Sequence, residues 1–283
     1  MPPKRKVVKK AKKQLARYKA EGLSGEFGGL QRLSEEPPVG WLIPGWLAAR
    51  ELTCIYGKGA TMKSFIALGW SLQLAVAGRR VLYVAAEGTS GLRSRADAWR
   101  ARNNKMDEDI PTWSYYNANV YLDVDDQLSQ WMTALYHYLG ESEQLDLVII
   151  DTLARNFLGD ENSAKEMGMF VQGCEDIRRN FNTAVLVVHH EGVTTGRDRG
   201  SPALRNATFA MFKTGEQRER EHGAYVAITC DRMKDNKPPD DARIEFDLID
   251  LDTDEHGEVF NSSLAMRTFP VPKKKMRKRQ NNG

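Results

Sequence analysis

The sequence predicts an α/β fold: a mainly parallel central sheet covered by helices, with antiparallel strands added at its C-terminal end. Three observations carry this. Between residues 51 and 190, short apolar runs alternate with helix-length amphipathic stretches, the pattern of a sheet buried on both faces. One run opens into a small-residue loop ending in Lys63-Ser64, and another, Leu147-Val148-Ile149-Ile150-Asp151, is apolar up to its terminal carboxylate. After residue 190 the spacing shortens to strand-like runs separated by turn residues, which predicts hairpins.

Taken in order, residues 1–20 allow a short basic helix, and residues 21–40, rich in Gly, Ser, Glu and Pro, read as a linker. Trp41, Leu42, Ile43, Trp46 and Leu47 form an apolar lead-in, either a hydrophobic anchor for the domain or a group placed near a bound base. Strands are then expected at Glu51–Tyr56, Arg80–Ala86, Asn119–Asp123, Leu145–Asp151 and Thr183–His190. Helices are expected at Met62–Ala77, Ser90–Ala101, Asp126–Leu139 and Ala164–Arg179. Glu191–Ala203 reads as a polar loop, and Thr208–Lys213, Ala224–Asp231 and Arg243–Leu251 as the strands of the antiparallel extension. The expected organisation is a basic tail and linker over 1–40, one folded domain over 41–267 and a basic tail over 268–283.

Composition excludes several classes. The chain has 283 residues, no apolar run long enough to cross a bilayer, and no apolar stretch behind the N-terminal basic residues, so neither membrane span nor secretory signal is expected. Cys54, Cys174 and Cys230 are scattered in apolar or helical patterns, which suits buried thiols in a reducing, cytoplasmic setting. The five histidines show no zinc spacing. The formal charge of +3 hides a partition: residues 1–20 carry nine Lys or Arg and residues 271–283 carry six, with no acid in either stretch. Setting those fifteen aside from the 41 basic residues leaves 26 against 38 acids, a formal charge of −12 for residues 21–270. Cationic ends attract nucleic acid, an anionic membrane or an acidic partner, and equally serve as solvated, solubilising tails.

The most specific local pattern is Gly57-Lys58-Gly59-Ala60-Thr61-Met62-Lys63-Ser64, between a strand and a helix. Small residues let backbone N–H groups curl round phosphate oxygens, and the following helix presents its positive end. Lys63 suits the β and γ phosphates of ATP, and the Ser64 hydroxyl suits the shell of a Mg²⁺ ion. Met62 stands where such loops usually carry a second glycine. A side chain there raises the question of a strained or crowded loop and slower turnover. Asp151, at the end of its apolar strand, falls on the same edge of the sheet and suits Mg²⁺ from the side opposite Ser64. A strand-ending Asp is also an ordinary turn residue. The ordered pair of loop and strand, about 90 residues apart, is the stronger signal. Glu87, ending the run Val81–Ala86, is the best-placed acid to orient an attacking water.

The chain resembles the RecA-like hexameric replicative helicases and ATPases of the plasmid RepA type over roughly residues 41–250. The likeness rests on ordered segments: Trp41–Leu47, the phosphate loop, Tyr83-Val84-Ala85-Ala86-Glu87-Gly88, Ile150-Asp151-Thr152-Leu153-Ala154-Arg155 through Gly159-Asp160-Glu161-Asn162, Val187-Val188-His189-His190, and Arg199-Gly200-Ser201-Pro202-Ala203-Leu204-Arg205. The resemblance implies a RecA-like core, Glu87 as catalytic glutamate, Asp151 as metal-side aspartate, and a hexameric ring with ATP bound between subunits. It also implies His190 as a γ-phosphate sensor, the neighbouring His189 being open from strand alternation alone. A DNA-facing loop carrying Arg197, Arg199 and Arg205 is implied, as is a basic pair, Arg232 and Lys234, acting on a neighbour's nucleotide. The sequence departs from the pattern at Met62 and at Ala210, where an aspartate is common.

Three functions are carried forward. The first is an ATP- and Mg²⁺-dependent motor on single-stranded DNA, acting as a replicative helicase with replication or recombination proteins as partners. The second is a recombination or repair ATPase that does not unwind. The third is a nucleotide-binding assembly protein with weak hydrolysis, which Met62 keeps in view.

Overall fold

The computed structural model describes residues 39–86, 89–140, 144–192, 200–253 and 255–267. Glu87, Arg197 and Arg199 lie outside the described residues, as do both basic tails.

A two-strand lead-in, β1 (Trp41–Ile43) and β2 (Leu47–Ala48), precedes the main sheet. Trp46 packs on Trp70 and Phe212, and Trp41 meets Phe209 edge-on. The lead-in is therefore an apolar anchor, and its tryptophans are spent on the core. The parallel part comprises β3 (Leu52–Gly57), β4 (Val81–Ala85), β5 (Trp113–Tyr116), β6 (Leu147–Asp151), β7 (Ala184–His190) and β8 (Ala210–Thr214). Four helices link these strands: α1 (Lys63–Val76), α2 (Ser90–Arg102), α3 (Asp125–Leu139) and α4 (Ala164–Asn180). A short helix, α5 (Pro202–Ala207), leads into β8. The antiparallel part is β9 (Arg218–Arg220), β10 (Gly223–Met233), β11 (Ala242–Thr253) and β12 (Val259–Met266). The order across the sheet is β12-β11-β10-β8-β3-β7-β6-β4-β5, with β9 paired to β10.

Alternation explains the two-sided burial. On β6, Leu147 and Ile149 enter one core while Val148 and Ile150 enter the other. On β3, Ile55 joins the first and Cys54 and Tyr56 the second. Helix α1 fills the first core with Ile66, Leu68 and Trp70. The second is capped by α3 through Leu128, Trp131, Leu135 and Leu139 and by α4 through Met167, Phe170, Cys174 and Ile177. That three-and-four spacing places one helical stripe inward, and each such side chain contributes about 1.5–3 kcal/mol of burial. Ser163 caps α4 by accepting from the Glu166 N–H, while Glu166 Oε2 accepts from the Asp160 N–H.

The expected elements appear with shifts of one or two residues at their ends, and with four corrections. Asn119–Asp123 is not a strand. The edge strand is Trp113–Tyr116 instead, because Asn156 occupies the backbone of the later segment: its side-chain oxygen accepts from Val120 N–H and its carbonyl from Leu122 N–H. Thr208–Lys213 was expected among hairpins, yet β8 runs parallel to β3 and becomes antiparallel only toward β10. The expected loop Glu191–Ala203 ends early, since Ser201 caps α5 by accepting from Ala203 N–H. β9 and β12 are strands that the sequence pattern did not mark.

Candidate functional site

The loop 57–62 lies at the C-terminal end of β3, between the carboxyl ends of β7 and β8. Gly57 admits no side chain: a Cβ there would lie 2.3 Å from Thr214 Oγ1 and 2.8 Å from both the Thr214 carbonyl and Thr61 Oγ1. The close approach is used, since Thr61 and Thr214 share a hydroxyl hydrogen bond of 2.7 Å and Thr214 Oγ1 donates 3.2 Å to the Tyr56 carbonyl. The loop is thereby tied to β8, about 150 residues later in the chain.

Met62 has φ +62° and Ala60 φ +57°, so the loop keeps the left-handed conformation that a second glycine would favour. The Met62 side chain is 6% exposed and belongs to the core cluster with Trp46, Trp70 and Phe212. It packs beneath the loop instead of filling the cradle. As the N-cap of α1 it gives no side-chain hydrogen bond to the helix end.

Lys63, 6% exposed, donates through Nζ to the Gly57 carbonyl at 3.0 Å and the Lys58 carbonyl at 2.6 Å. These bonds hold the ammonium inside the phosphate loop, where bound phosphates would meet it. Ser64 Oγ donates to Asp151 Oδ1 at 3.1 Å, and the Tyr83 hydroxyl donates to Asp151 Oδ2 at 2.5 Å. Asp151 is 8% exposed. The expected residues Lys63, Ser64 and Asp151 are thus gathered at one point, at the positive end of α1. A hydroxyl beside a buried carboxylate is an all-oxygen donor pair suited to Mg²⁺. With small residues in the loop, a helix N-terminus and a buried ammonium, the site fits a nucleoside triphosphate bound with that ion. Elsewhere among the described residues, no group of three or more His, Cys, Asp or Glu side chains is arranged to hold a metal.

Strand β7 pairs His189 with Tyr56 and His190 with Gly57. His189 is fully buried, whereas His190 is partly exposed at the rim of the loop. The next residue, Glu191, donates its N–H to the Gly57 carbonyl, and its carboxylate accepts from Lys213 Nζ at 2.8 Å. Neither contact was legible in the sequence.

Arg205, on α5, pairs with Asp231 of β10, and the same carboxylate accepts from the Tyr56 hydroxyl at 2.7 Å. Burial pushes the Asp231 carboxyl up, but the Arg205 guanidinium and the Tyr56 donor outweigh it and hold the carboxyl below its usual range. Burial, reinforced by Asp231, pushes the Tyr56 phenol well above its usual value. The cluster links α5 to the strand that enters the phosphate loop. Arg232 and Lys234 reach the C-terminal end of the same helix: Arg232 Nη1 donates to the Arg205 carbonyl at 2.9 Å, and Lys234 Nζ to the Ala207 carbonyl at 2.9 Å. Within this chain both cations therefore neutralise the C-terminal end of α5.

Among the described residues no helix is long and apolar enough to cross a membrane. No curated protein matches the chain. A family model described as an AAA domain matches residues 23–196, more than half of the sequence.

Proposed function

The chain belongs to the AAA domain family, whose fold carries nucleotide-dependent ATPase activity, and on that footing we propose a ring-forming replicative helicase on single-stranded DNA, RecA-like and of the plasmid RepA type. The observation that carries the reading is the convergence of Lys63, Ser64 and Asp151 on the phosphate loop. Bound Mg²⁺ supplies charge neutralisation on the phosphates, and Ser64 and Asp151 are the residues to hold it. Lys63 exchanges its loop carbonyls for phosphate oxygens. Glu87 orients the attacking water, and His190 reports the γ-phosphate to the segment that follows it. Arg232 and Lys234 complete the site of a neighbouring subunit, leaving the carbonyls of α5 as the ring closes.

DNA enters the proposal through charge and position. The two cationic ends supply a sequence-independent grip. Arg197, Arg199 and Arg205 lie in the stretch directly after the sensor strand, where loss of the γ-phosphate is converted into movement on a strand of DNA. Replication or recombination proteins are its partners, in the cytoplasm of a bacterial or phage-infected cell.

The decisive experiment measures ATPase activity against added single-stranded DNA, with oligomer mass recorded in the same buffer. A closed ring with DNA-stimulated turnover and strand displacement is expected. Open filaments without unwinding replace this reading with the recombination ATPase. ATP binding with no stimulated turnover replaces it with the assembly protein of weak hydrolysis.

A further inference from the structure

Tyr83 lies on β4, facing Ile149 of β6, and its ring is buried at 1% exposure. A buried tyrosine hydroxyl requires a polar partner, and here that partner is a functional carboxylate. The hydroxyl stands 2.5 Å from Asp151 Oδ2 and 3.5 Å from the Ser64 carbonyl, so one group touches both residues assigned to the metal side. The two carboxylate oxygens are divided: Oδ2 takes the phenol, and Oδ1 faces the Ser64 hydroxyl. The ring itself is braced. Trp113 of β5 packs against it with centroids 6.3 Å apart, and Trp113 Nε1 donates to Ser71 Oγ on α1 at 2.9 Å. Helix α1 therefore steadies both the metal-side serine at its start and, through Trp113, the tyrosine that holds the aspartate.

We infer that Tyr83 is a positioning residue for the metal: its hydroxyl fixes the Asp151 carboxylate so that Oδ1, and not Oδ2, is turned to the ion. This rests on the ATPase reading above and assigns that site a further member. A donor that orients a metal-binding carboxylate typically governs affinity by about tenfold to a hundredfold. Tyr83→Phe removes the hydroxyl alone and leaves the ring among its neighbours.

The test uses the full chain with a non-hydrolysable ATP analogue, Mn²⁺ as the probe, and electron paramagnetic resonance to count bound ion. Tyr83→Phe is expected to weaken Mn²⁺ binding to the protein–nucleotide complex about tenfold or more, with metal-free analogue binding unchanged. In an Asp151→Ala background the same substitution is expected to add no further loss, since the tyrosine acts through that carboxylate. A merely structural hydroxyl would lower the melting temperature and weaken nucleotide with and without metal alike, which overturns the inference. So does unchanged Mn²⁺ affinity in Tyr83→Phe, or an undiminished loss in the Asp151→Ala background. Wild-type protein that binds no Mn²⁺–nucleotide at all sinks the ATPase reading itself, a result distinguishable from either.

Discussion

Met62 sets two forces against each other, and they are separable by mutation. Its backbone is left-handed at φ +62°, which costs a side-chain-bearing residue about 1–2 kcal/mol relative to glycine. Its side chain is 6% exposed in the core, and removing a buried methionine costs about 2–5 kcal/mol. Met62→Gly relieves the first and forfeits the second, for a net loss of about 1–3 kcal/mol. At about 2–4 °C per kcal/mol for a chain of this size, the melting temperature falls by about 2–12 °C. Met62→Ala forfeits the side chain and keeps the strain, so it melts lower than Met62→Gly by a further 2–8 °C or so. Thermal melts of the three proteins, each with and without ATP, supply the comparison. Because the side chain packs beneath the loop, turnover per folded Met62→Gly molecule is not expected to rise. A glycine variant more stable than wild type, or an alanine variant as stable as the glycine one, would refute the partition between backbone and burial. A large gain in turnover would refute the placement of the side chain.

Other outcomes follow from the proposed function and from individual contacts. Lys63→Ala and Asp151→Ala each abolish turnover in a steady-state ATPase assay, and Glu87→Gln retains ATP binding while losing hydrolysis. Normal turnover in any one of them removes that residue from the mechanism. Arg205→Ala frees Asp231 and Tyr56 and lowers DNA stimulation of the ATPase more than basal turnover; equal losses would make Arg205 purely structural. Arg232→Ala with Lys234→Ala binds ATP without hydrolysing it, and mixing these subunits with Glu87→Gln subunits partly restores activity. Mixed rings, verified by mass, that show no recovery eliminate action across subunits. Asp247 is opposed by burial but held by Arg267, Arg220 and Arg102 down to about 2. A depressed carboxyl stabilises the fold fully above its unfolded value near 4 and loses that contribution as pH falls through about 2. Asp247→Asn should therefore cost about 1–2 kcal/mol at neutral pH, after allowance for screening, and flatten the stability profile between pH 4 and 2. A profile unchanged by the substitution rules the cluster out as an acid-sensitive element.

What the sequence displayed was the part written in contiguous residues. The phosphate loop, the apolar strand ending in Asp151 and the inward stripes of α3 and α4 are local patterns, and each stands where its spacing placed it. Contacts between distant segments left no such trace. Tyr83 reads as one more aromatic in a buried strand until β6 is laid beside β4. Thr214, one residue past the expected strand Thr208–Lys213, carries no signal until β8 is brought parallel to β3. The misplaced strand at Asn119–Asp123 has the same origin: Val120 and Leu122 are buried and alternate, but their N–H groups go to Asn156 instead of a neighbouring strand. Alternation reports which side chains are buried, and it does not report who accepts the backbone hydrogen bonds.

The order of strands also constrains the birth of the site. β3 sits between β7 and β8, and the loop that follows it is tied down by Thr214. A ribosome delivers Gly57 long before it delivers Thr214, 157 residues later, and at about 5–20 residues per second that interval is about 8–31 s. Until β7 emerges at Ala184–His190 the central strand has neither parallel neighbour, and until β8 follows the phosphate cradle lacks one wall. ATP therefore has no finished site to bind while the N-terminal half is emerging. Until β8 arrives, the nascent strand's bare edges depend on chaperones or on transient partners within the chain for protection from aggregation.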